Sequence, residues 1–284
     1  MKYLLLTILL YMTTTLSAQK SIERPLWPNG APNSNELKGE EQELEPNRIS
    51  HVTNPTITVY PSAVPNSKAI IMCPGGGYSR LAMDHEGHHM AAWFQAQGIT
   101  YVVLKYRMPN GHADVPLSDA EQAIRLVRKH AAEWNVNPNR VGIMGASAGG
   151  HLASTLATHY SSAETRPDFQ VLFYPVITMD ESDTHMGSRT NLLGKQPTAA
   201  QVKAFSNELR VNAQTPPAFI MLSSDDKAVP AANGVNYYLA LVKSGVSASL
   251  HAYPTGGHGW GFNDSFLYKR QWTGELEKWL RTLR

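Results

Sequence analysis

The chain has 284 residues, of which 42% are hydrophobic and 17% are charged, with 21 glycines and 18 prolines. This balance excludes a disordered polymer, a collagen-like repeat and a coiled coil, and the length allows one α/β domain or two small ones. The formal charge of +2 without a basic run argues against nucleic-acid binding, and a single cysteine, Cys73, excludes an internal disulfide.

The start of the chain has the profile of a secretory signal peptide. A short basic start, Met1-Lys2, precedes an apolar run, Leu4–Leu10, which grades into small and hydroxyl-bearing residues up to Ala18. Cleavage after Ala18 would leave residues 19–284 as the mature chain. A membrane anchor is the alternative, but the apolar run is shorter than the roughly 20 residues of a spanning helix. We therefore expect an exported protein, secreted or periplasmic, that is free of the membrane after cleavage.

From residue 19 onward, an arm precedes a regular alternation of strands and helices. Residues 19–50 are rich in Pro, Asn and Glu without a clear period, which predicts an irregular arm laid on the domain. The periodicity then predicts an edge strand at 56–60 and further strands at 69–73, 99–104, 141–144, 171–174, 218–222 and 249–253. It predicts helices at 90–97, 118–134, 148–160, 229–243 and 266–283.

This alternation predicts one α/β domain with a mostly parallel sheet and helices on both faces. The second helix has the clearest start signal, a capping box with Ser118 as N-cap and Glu121 as its partner. One long polar break, residues 178–216, contains a weak helix near 199–209. We expect it to be an insert or cap over the carboxyl ends of the strands, where ligands bind in open α/β sheets.

The segment Gly145-Ala-Ser-Ala-Gly149 places the pattern G-x-S-x-G between a predicted buried strand and a predicted helix. In that context Ser147 would occupy a sharp, strained turn, with its hydroxyl above the sheet and the helix N-terminus directing N–H groups at developing negative charge. A chance match is one alternative. A phosphate-binding glycine turn is another, but the Lys-Ser/Thr pair of a P-loop does not follow. Ser147 is the candidate nucleophile.

A serine nucleophile needs a base, and in this arrangement the order along the chain is Ser, then Asp or Glu, then His. His258 directly follows the strand predicted at 249–253 and is the candidate base. Asp225 and Asp226 directly follow the strand at 218–222, and one of them would orient the imidazole while the other caps the next turn. Weaker alternatives for the acid lie in the insert, at Asp180, Glu181 and Asp183.

The tetrahedral intermediate of acyl transfer needs hydrogen-bond donors, which form an oxyanion hole. One is predicted to be the N–H of Ala148, directly after the nucleophile. The others are predicted in the glycine run after the strand at 69–73, with Gly76 and Gly77 as the donors. The alternative interpretation of this run is a simple tight turn.

His85-Glu-Gly-His-His89 matches H-E-x-x-H, the zinc-protease pattern, with Glu86 as its base. Gly87 would cost a helix there about 1 kcal/mol, and no third ligand follows at a suitable spacing. The other interpretation is that Asp84, His85 and Glu86 begin a helix near the site and hydrogen-bond the glycine loop. We therefore expect no bound metal.

For several other polar residues, a structural role is either expected or stands beside a functional one. His151, one turn after Ser147, is predicted to pack beneath the turn, and Cys73 to be a buried thiol at a strand end. His185, Arg189 and Asn191 of the insert either reach substrate or form a solvated cover.

A set of motifs occurs in order from residue 73 to residue 259: Cys73-Pro-Gly-Gly-Gly-Tyr78, Asp84-His-Glu-Gly87, Lys105-Tyr-Arg107, Pro116-Leu-Ser-Asp119, Gly145-Ala-Ser-Ala-Gly-Gly-His-Leu152, Asp226-Lys-Ala-Val-Pro230 and Gly256-Gly-His-Gly259. The set resembles the α/β-hydrolase esterases of the feruloyl-esterase-like and acetyl-xylan-esterase-like branch, over roughly residues 50–284. Relatives are often secreted by bacteria that degrade plant polysaccharides.

The resemblance implies an α/β-hydrolase fold, a serine esterase mechanism without a metal or organic cofactor, and the triad Ser147, Asp226 and His258. The family's Asp-x-x-Val-Pro pattern favours Asp226 over Asp225, and the zinc interpretation is weakened because Asp84–Gly87 belongs to the family pattern. The implied partner is an esterified plant polysaccharide, with acetyl groups favoured over feruloyl. Where related esterases carry His-Gly-Gly-Gly, this chain has Pro74 in place of the histidine.

Two other functions match parts of this pattern. A prolyl-oligopeptidase-type serine peptidase shares the order of the triad, but it usually carries a propeller domain for which this chain has no room. A carbohydrate-binding protein with an inactive hydrolase fold is the non-enzymatic alternative, and the ordered Ser, Asp and His argue against it.

Overall fold

The computed structural model describes residues 20–283. The signal peptide predicted at residues 1–18 lies outside this range. In chain order the strands are β1 (Ile22–Pro25), β2 (Gln42–Glu45), β3 (Arg48–Ser50), β4 (Thr56–Tyr60), β5 (Ser67–Cys73), β6 (Arg80–Ala82), β7 (Thr100–Lys105), β8 (Val136–Ala146), β9 (Gln170–Phe173), β10 (Ala218–Ser223) and β11 (Ala248–Tyr253). The α-helices are α1 (Ala91–Ala96), α2 (Asp114–Lys129), α3 (Ala148–His159), α4 (Met186–Leu193), α5 (Ala199–Phe205), α6 (Ala232–Lys243) and α7 (Lys269–Thr282).

Eight of the strands form one sheet, in the order β1-β4-β7-β5-β8-β9-β10-β11. From β7 to β11 every neighbouring pair is parallel, whereas β4 is antiparallel to both of its neighbours. All residues of β9 and β10 are buried. Because successive side chains of a strand point to opposite faces, both faces of the sheet are covered there. The predicted mostly parallel α/β architecture is confirmed.

The irregular arm predicted at residues 19–50 is wrong in part, because it contains three strands. β1 pairs antiparallel with β4, so that β1, and not the segment 56–60, is the edge strand. β2 and β3 pair with β6 in a separate three-stranded antiparallel sheet. These strands are three or four residues long and largely polar, and the partners of β1 and β3 lie about 30 residues away, so local periodicity does not show them.

A buried ion pair fixes the arm to α2. The Arg107 guanidinium donates to the Asp119 carboxylate at 2.7–3.1 Å, and Trp27 Nε1 of the arm donates to the same carboxylate at 2.7 Å. Arg107 also donates to the Asn33 carbonyl oxygen at 2.7 Å. Burial raises the pKa of Asp119, and the bonds from Arg107 oppose that rise. The arm therefore supplies partners for a charge pair in the core.

The predicted capping box at Ser118 is wrong. α2 begins at Asp114, and Ser118 lies inside it, with its hydroxyl donating to the Val115 carbonyl oxygen at 2.7 Å. Pro116 falls in the first turn of α2. A first-turn residue has no N–H bond to lose, so the proline is compatible with the helix.

The insert at 178–216 contains α4, α5 and a 3₁₀ turn at Asn207–Leu209. The weak helix predicted near 199–209 is interrupted after Phe205, and α4 was not predicted. Its N-cap is His185, whose Nδ1 accepts from the Ser188 N–H at 3.1 Å. Histidine is not one of the usual N-cap residues, and this explains the missing start signal. Among the described residues, no helix has the length and apolar character needed to cross a bilayer.

Candidate active site

Five adjacent parallel strands end at one rim of the sheet, and each is followed by a residue of the candidate site. β8 leads into Ser147, which has φ 53° and ψ −119° and directly precedes α3. A non-glycine residue in this region costs about 1–3 kcal/mol, so the surrounding structure must hold the turn. The Ser147 N–H donates to the Phe173 carbonyl oxygen at 3.0 Å, and its carbonyl oxygen accepts from the Val176 N–H at 3.0 Å. This is the strained turn that the G-x-S-x-G pattern predicts.

The two glycines of this pattern are required by close backbone contacts. A Cβ on Gly145 would collide with the Gly149 carbonyl oxygen, and a Cβ on Gly149 would collide with the Cys73 carbonyl oxygen. The glycines therefore let β8, α3 and the end of β5 approach closely enough to present the Ser147 hydroxyl at the rim.

The structure brings Ser147, His258 and Asp226 together in one hydrogen-bonded chain. His258 Nε2 lies 2.8 Å from Ser147 Oγ, and His258 Nδ1 lies 2.6 Å from Asp226 Oδ2. His258 follows β11, and the Tyr174 ring packs edge-on against its imidazole with the centroids 4.7 Å apart. The Asp226 side chain is 1% exposed, so its carboxylate is shielded from water beside the ring.

Asp225 and Asp226 follow β10 but bind different partners. The second oxygen of Asp226, Oδ1, accepts from the N–H groups of Ala228 and Val229 at 2.8 and 2.9 Å. Asp225 is exposed and accepts from the Gly257 and Gly256 N–H groups at 2.8 and 3.3 Å. Asp226 is thus the residue that contacts the imidazole, while Asp225 holds the loop that carries it. The insert acids Asp180, Glu181 and Asp183 make no hydrogen bond to His258 in the described part of the chain.

The glycine loop after β5 forms one wall of the cleft above Ser147. Gly76 and Gly77 have φ values of 134° and 66°, which favour glycine, and both border the cleft. Within residues 20–283, neither N–H donates a hydrogen bond to another residue. Ala148 is the first residue of α3, where an N–H has no acceptor within the helix. Gly76 and Gly77 therefore border the same cleft as Ser147, and no acceptor for the three N–H groups occurs among the described residues. Their role as oxyanion donors stays a prediction.

Glu86 connects the glycine loop to the loop that carries His258. Its Oε2 accepts from the Gly75 N–H at 2.9 Å, and its Oε1 accepts from the Tyr174 hydroxyl at 2.6 Å. The Tyr174 hydroxyl in turn accepts from the Gly261 N–H at 2.9 Å. Glu86 is 3% exposed. The expectation that a residue of this segment hydrogen-bonds the glycine loop is confirmed for Glu86, whereas Tyr174 was missed because the strand ending at Phe173 carries no recognisable motif.

The zinc interpretation of His85–His89 is not supported by the geometry. Residues 84–87 form turns and His88 begins a 3₁₀ turn, so the histidines at 85 and 89 are not two ligands on one α-helix. Among the described residues, no cluster of three or more His, Cys, Asp or Glu side chains is arranged to hold a metal. The helix expected to begin at Asp84–Glu86 begins later, at Ala91.

The insert contributes to the cleft through the region around α4. His185 and Asn191 border the cleft, and Asn191 Nδ2 donates to the Gly77 carbonyl oxygen at 2.8 Å. Burial lowers the pKa of His185, with a smaller effect from His258. Arg189 does not reach this cleft, since its Nε donates to the Met179 carbonyl oxygen at 2.9 Å and its other end pairs with Glu181. The insert thus supports the glycine loop and closes one side of the site.

The cleft has a volume of about 390 Å³. Two of its lining residues, Arg48 and Arg80, come from the small antiparallel sheet and were missed at the level of sequence. The complete lining consists of Arg48, Gly76, Gly77, Ser79, Arg80, His85, Glu86, Ser147, His185, Gly187, Asn191, His258 and Gly259.

His151 and Cys73 have the structural roles that were predicted. His151 is fully buried beneath the turn, between the Tyr78 hydroxyl at 2.9 Å from Nδ1 and the Phe205 carbonyl oxygen at 2.8 Å from Nε2. Cys73 is fully buried at the end of β5, and burial raises the pKa of its thiol. Neither side chain is available to a substrate.

Comparison with known proteins places this geometry in a family. The BD-FAE family profile matches residues 57–241. The chain belongs to the BD-FAE family. An acetylxylan esterase from Xylanibacter ruminicola is 46% identical over 224 residues, which cover 77% of this chain and 46% of the relative. Endo-1,4-beta-xylanase B from Butyrivibrio fibrisolvens is 34% identical over 230 residues, which cover 76% of this chain and 36% of the relative. This BD-FAE chain therefore spans less than half the length of either sequence relative.

A solved structure matches the BD-FAE chain over almost its whole length. It is an acetyl ester-xyloside bifunctional hydrolase from Caldicellulosiruptor lactoaceticus, with a TM-score of 0.78 and 37% identity over 92% of this chain and 96% of that structure. The resemblance to α/β-hydrolase esterases and the α/β-hydrolase fold are confirmed. The family match includes Ser147 and Asp226 but ends before His258. The place of His258 in the candidate triad therefore rests on its hydrogen-bond distance to Ser147.

Proposed function

We propose that the chain is an acetylxylan esterase, a serine carboxylester hydrolase that removes acetyl groups from xylan. The observation that carries the proposal is the hydrogen-bonded chain Ser147–His258–Asp226 beside a glycine loop, in a member of the BD-FAE family. The identity of 46% to an acetylxylan esterase supports acetyl as the group removed and xylan as the polysaccharide.

In the proposed first step, Ser147 Oγ attacks the ester carbonyl carbon while His258 Nε2 takes the hydroxyl proton. Asp226 holds the imidazole through Nδ1 and stabilises its positive charge. The N–H groups of Gly76, Gly77 and Ala148 donate to the oxyanion of the tetrahedral intermediate.

Collapse of the intermediate breaks the bond to the sugar oxygen, which leaves as a hydroxyl with the proton from His258. An acetyl group then remains on Ser147. His258 removes a proton from water, the resulting hydroxide attacks the acetyl carbonyl, and acetate leaves as Ser147 recovers its proton. Water is the only co-reactant in this scheme, which uses no metal or organic cofactor.

The proposal includes export. The basic start, the apolar run Leu4–Leu10 and the small residues up to Ala18 support a cleaved signal peptide. Sequencing the N-terminus of the chain recovered from the periplasm or the medium tests this, since the mature chain is expected to start at Gln19. A chain that still starts at Met1 and is recovered in the membrane fraction would favour the membrane anchor.

Hydrolysis of p-nitrophenyl acetate tests the nucleophile. Ser147→Ala is expected to lower kcat by at least about 10⁴-fold, because only the oxyanion donors and the binding site remain. The exposed Ser182→Ala is the matched control and keeps wild-type activity. Full activity of Ser147→Ala would overturn the assignment, and loss of wild-type activity on chelation would revive a metal mechanism.

The substrate is tested by measuring acetate and ferulate released side by side from native xylans. The proposal expects acetate as the main product. Ferulate as the main product would contradict the acetyl assignment while leaving the esterase mechanism in place.

A further inference from the structure

Two arginines of the small antiparallel sheet lie on the same face and line the cleft that holds Ser147. Arg48 pairs with Ala82 across β3 and β6, and Arg80 pairs with Ser50. Residues two apart on a strand point to the same face, so Arg48 and Arg80 are diagonal neighbours, at a Cα separation of roughly 7–8 Å. Both residues border the cleft.

The Arg80 guanidinium has no protein acceptor within residues 20–283. Its Nε is buried from solvent and makes no hydrogen bond, although an unsatisfied buried donor normally destabilises a fold. Only the Arg80 backbone is bonded, through its N–H to the Gly76 carbonyl oxygen at 3.2 Å. Arg80 therefore borders the cleft with side-chain donors that no described residue uses.

Arg48 also keeps donors free. Its Nε pairs with Glu45 at 3.1 Å, but the Glu45 side chain is 63% exposed, and such a surface pair is weak. No other hydrogen bond of the Arg48 side chain occurs in the described range.

Among the residues that line the cleft, no free carboxylate competes for these arginines. Glu86 is the one acidic residue in the lining, and both of its oxygens are used by Gly75 and Tyr174. Burial lowers the pKa of both His85 and His185, which therefore add no positive charge near pH 7. Arg48 and Arg80 are the lysine or arginine side chains in this lining, and they supply its permanent positive charge.

We propose that Arg48 and Arg80 form a subsite for a carboxylate on the sugar portion of the substrate, so that the preferred substrate is an acetylated xylo-oligosaccharide with a uronic acid side group. This inference rests on the proposed function. The planar guanidinium matches a carboxylate with two parallel hydrogen bonds, whereas a sugar hydroxyl would use only part of it. The proposed acyl group, acetyl, carries no carboxylate, so the anion belongs to the alcohol that leaves.

The test uses two acetylated xylo-oligosaccharides of the same length and acetyl position, one with a glucuronic acid side group and one neutral. The readout is the ratio of kcat/KM for acetate release from the acidic and the neutral compound. For the wild type we expect a ratio of about 10 or more, which decreases as salt screens the charges. Arg80→Gln is expected to reduce the ratio about tenfold, Arg48→Gln to reduce it less because Glu45 shares that guanidinium, and the exposed Arg270→Gln to leave it unchanged.

Failure of this inference is distinguishable from failure of the proposed function. Equal rates on both compounds with the wild type, or an unchanged ratio in Arg80→Gln, would overturn the subsite alone. No acetate from either compound would overturn the proposed function. If Arg80→Gln does not fold, Arg80→Lys tests the subsite instead, since it keeps the charge without the two-pronged geometry and is expected to lower the ratio severalfold.

Glucuronate should also inhibit wild-type hydrolysis of p-nitrophenyl acetate at a lower concentration than glucose, and equal inhibition would count against the subsite.

Discussion

At the scale of single residues, the two neighbouring aspartates show how one position in the chain decides a role. Asp226 is buried against His258, with one oxygen on the imidazole and the other on two N–H groups of the following turn. Asp225 points its carboxylate at the Gly256–Gly257 backbone. The turn after β10 thus fixes the Asp226 carboxylate through backbone donors, and the second aspartate fixes the loop on which His258 lies.

Exchanging each aspartate for asparagine separates these roles. Asp226→Asn is expected to lower kcat for p-nitrophenyl acetate by about 10³–10⁴-fold, because an amide does not stabilise the imidazolium and favours the wrong tautomer. Asp225→Asn is the matched control and is expected to lower kcat less than about tenfold, since an amide oxygen still accepts from the Gly257 N–H. Equal losses in the two variants, measured by steady-state kinetics on folded protein, would contradict the assignment.

The residues whose position follows from a strand end and a motif can be predicted from the sequence. Ser147, His258 and Asp226 each come directly after a strand, and the structure brings them together at one rim. Arg48 and Arg80 could not be predicted from the sequence. Their position depends on the pairing of two three-residue strands about 30 residues apart, and no motif marks either arginine.

At the scale of elements, Glu86 joins loops that follow three different strands. The Gly75 N–H belongs to the loop after β5, Tyr174 follows β9, and Gly261 lies in the loop after β11. Since the glycine loop and the His258 loop share this buried link, displacing one is expected to displace the other.

Glu86→Gln tests the link. A glutamine has one acceptor oxygen, so it can satisfy either the Gly75 N–H or the Tyr174 hydroxyl as now arranged, and the other donor is left unpaired. We expect the free energy of unfolding to fall by about 1–3 kcal/mol and kcat/KM to fall about tenfold. Urea unfolding and hydrolysis of p-nitrophenyl acetate measure the two effects. The exposed Glu164→Gln is the control, and wild-type values for Glu86→Gln would show that the link does not support the site.

Elements with strong internal periodicity were predicted well, and those that depend on tertiary contacts were not. The strand at 218–222 and the helix at 148–160 differ from the observed β10 and α3 by one residue at one end. The start of α2 was misplaced because Ser118 and Glu121 have the spacing of a capping box, while the helix begins a turn earlier at Asp114. A capping pattern inside a helix is indistinguishable from one at its start when only local spacing is considered.

At the scale of the whole molecule, burial lowers the pKa of six histidines: His85, His88, His151, His159, His185 and His251. For His151 the pKa falls to about 4. The Phe205 carbonyl oxygen can only accept, so Nε2 carries the proton, and the neutral ring accepts from Tyr78 at Nδ1. Protonation of Nδ1 would oppose this hydrogen bond inside the core.

This arrangement predicts a loss of stability in mild acid. Between the unfolded pKa of 6.5 and the folded pKa of about 4, the unfolded chain binds a proton at His151 and the folded chain does not. The free energy of unfolding is therefore expected to fall as the pH drops through this window, by about 3 kcal/mol from His151 alone. The lowered pKa values of the other five histidines also decrease the free energy of unfolding as the pH drops. The raised pKa values of Asp119 and Glu208 have the opposite effect on it at the acid end of the pH range.

Urea unfolding at a series of pH values from 7 to 4 measures this effect. His151→Gln is expected to flatten the dependence, with lower stability than the wild type at pH 7 and a smaller loss on acidification. The half-exposed His112→Gln controls for the removal of a histidine. An unchanged slope in His151→Gln would show that His151 is not a main source of the acid sensitivity.

The strand β1 has a consequence for anyone who shortens this protein. The family match begins at residue 57, yet β1 covers the open side of β4, and Trp27 and Asn33 contact the Arg107–Asp119 pair. A recombinant version that begins at residue 51 lacks β1 and has a row of unpaired backbone groups along β4. Such an edge is a template for sheet-to-sheet association between molecules. Such a version would tend to precipitate during purification, and a lack of activity in it would say nothing about the chemistry at Ser147.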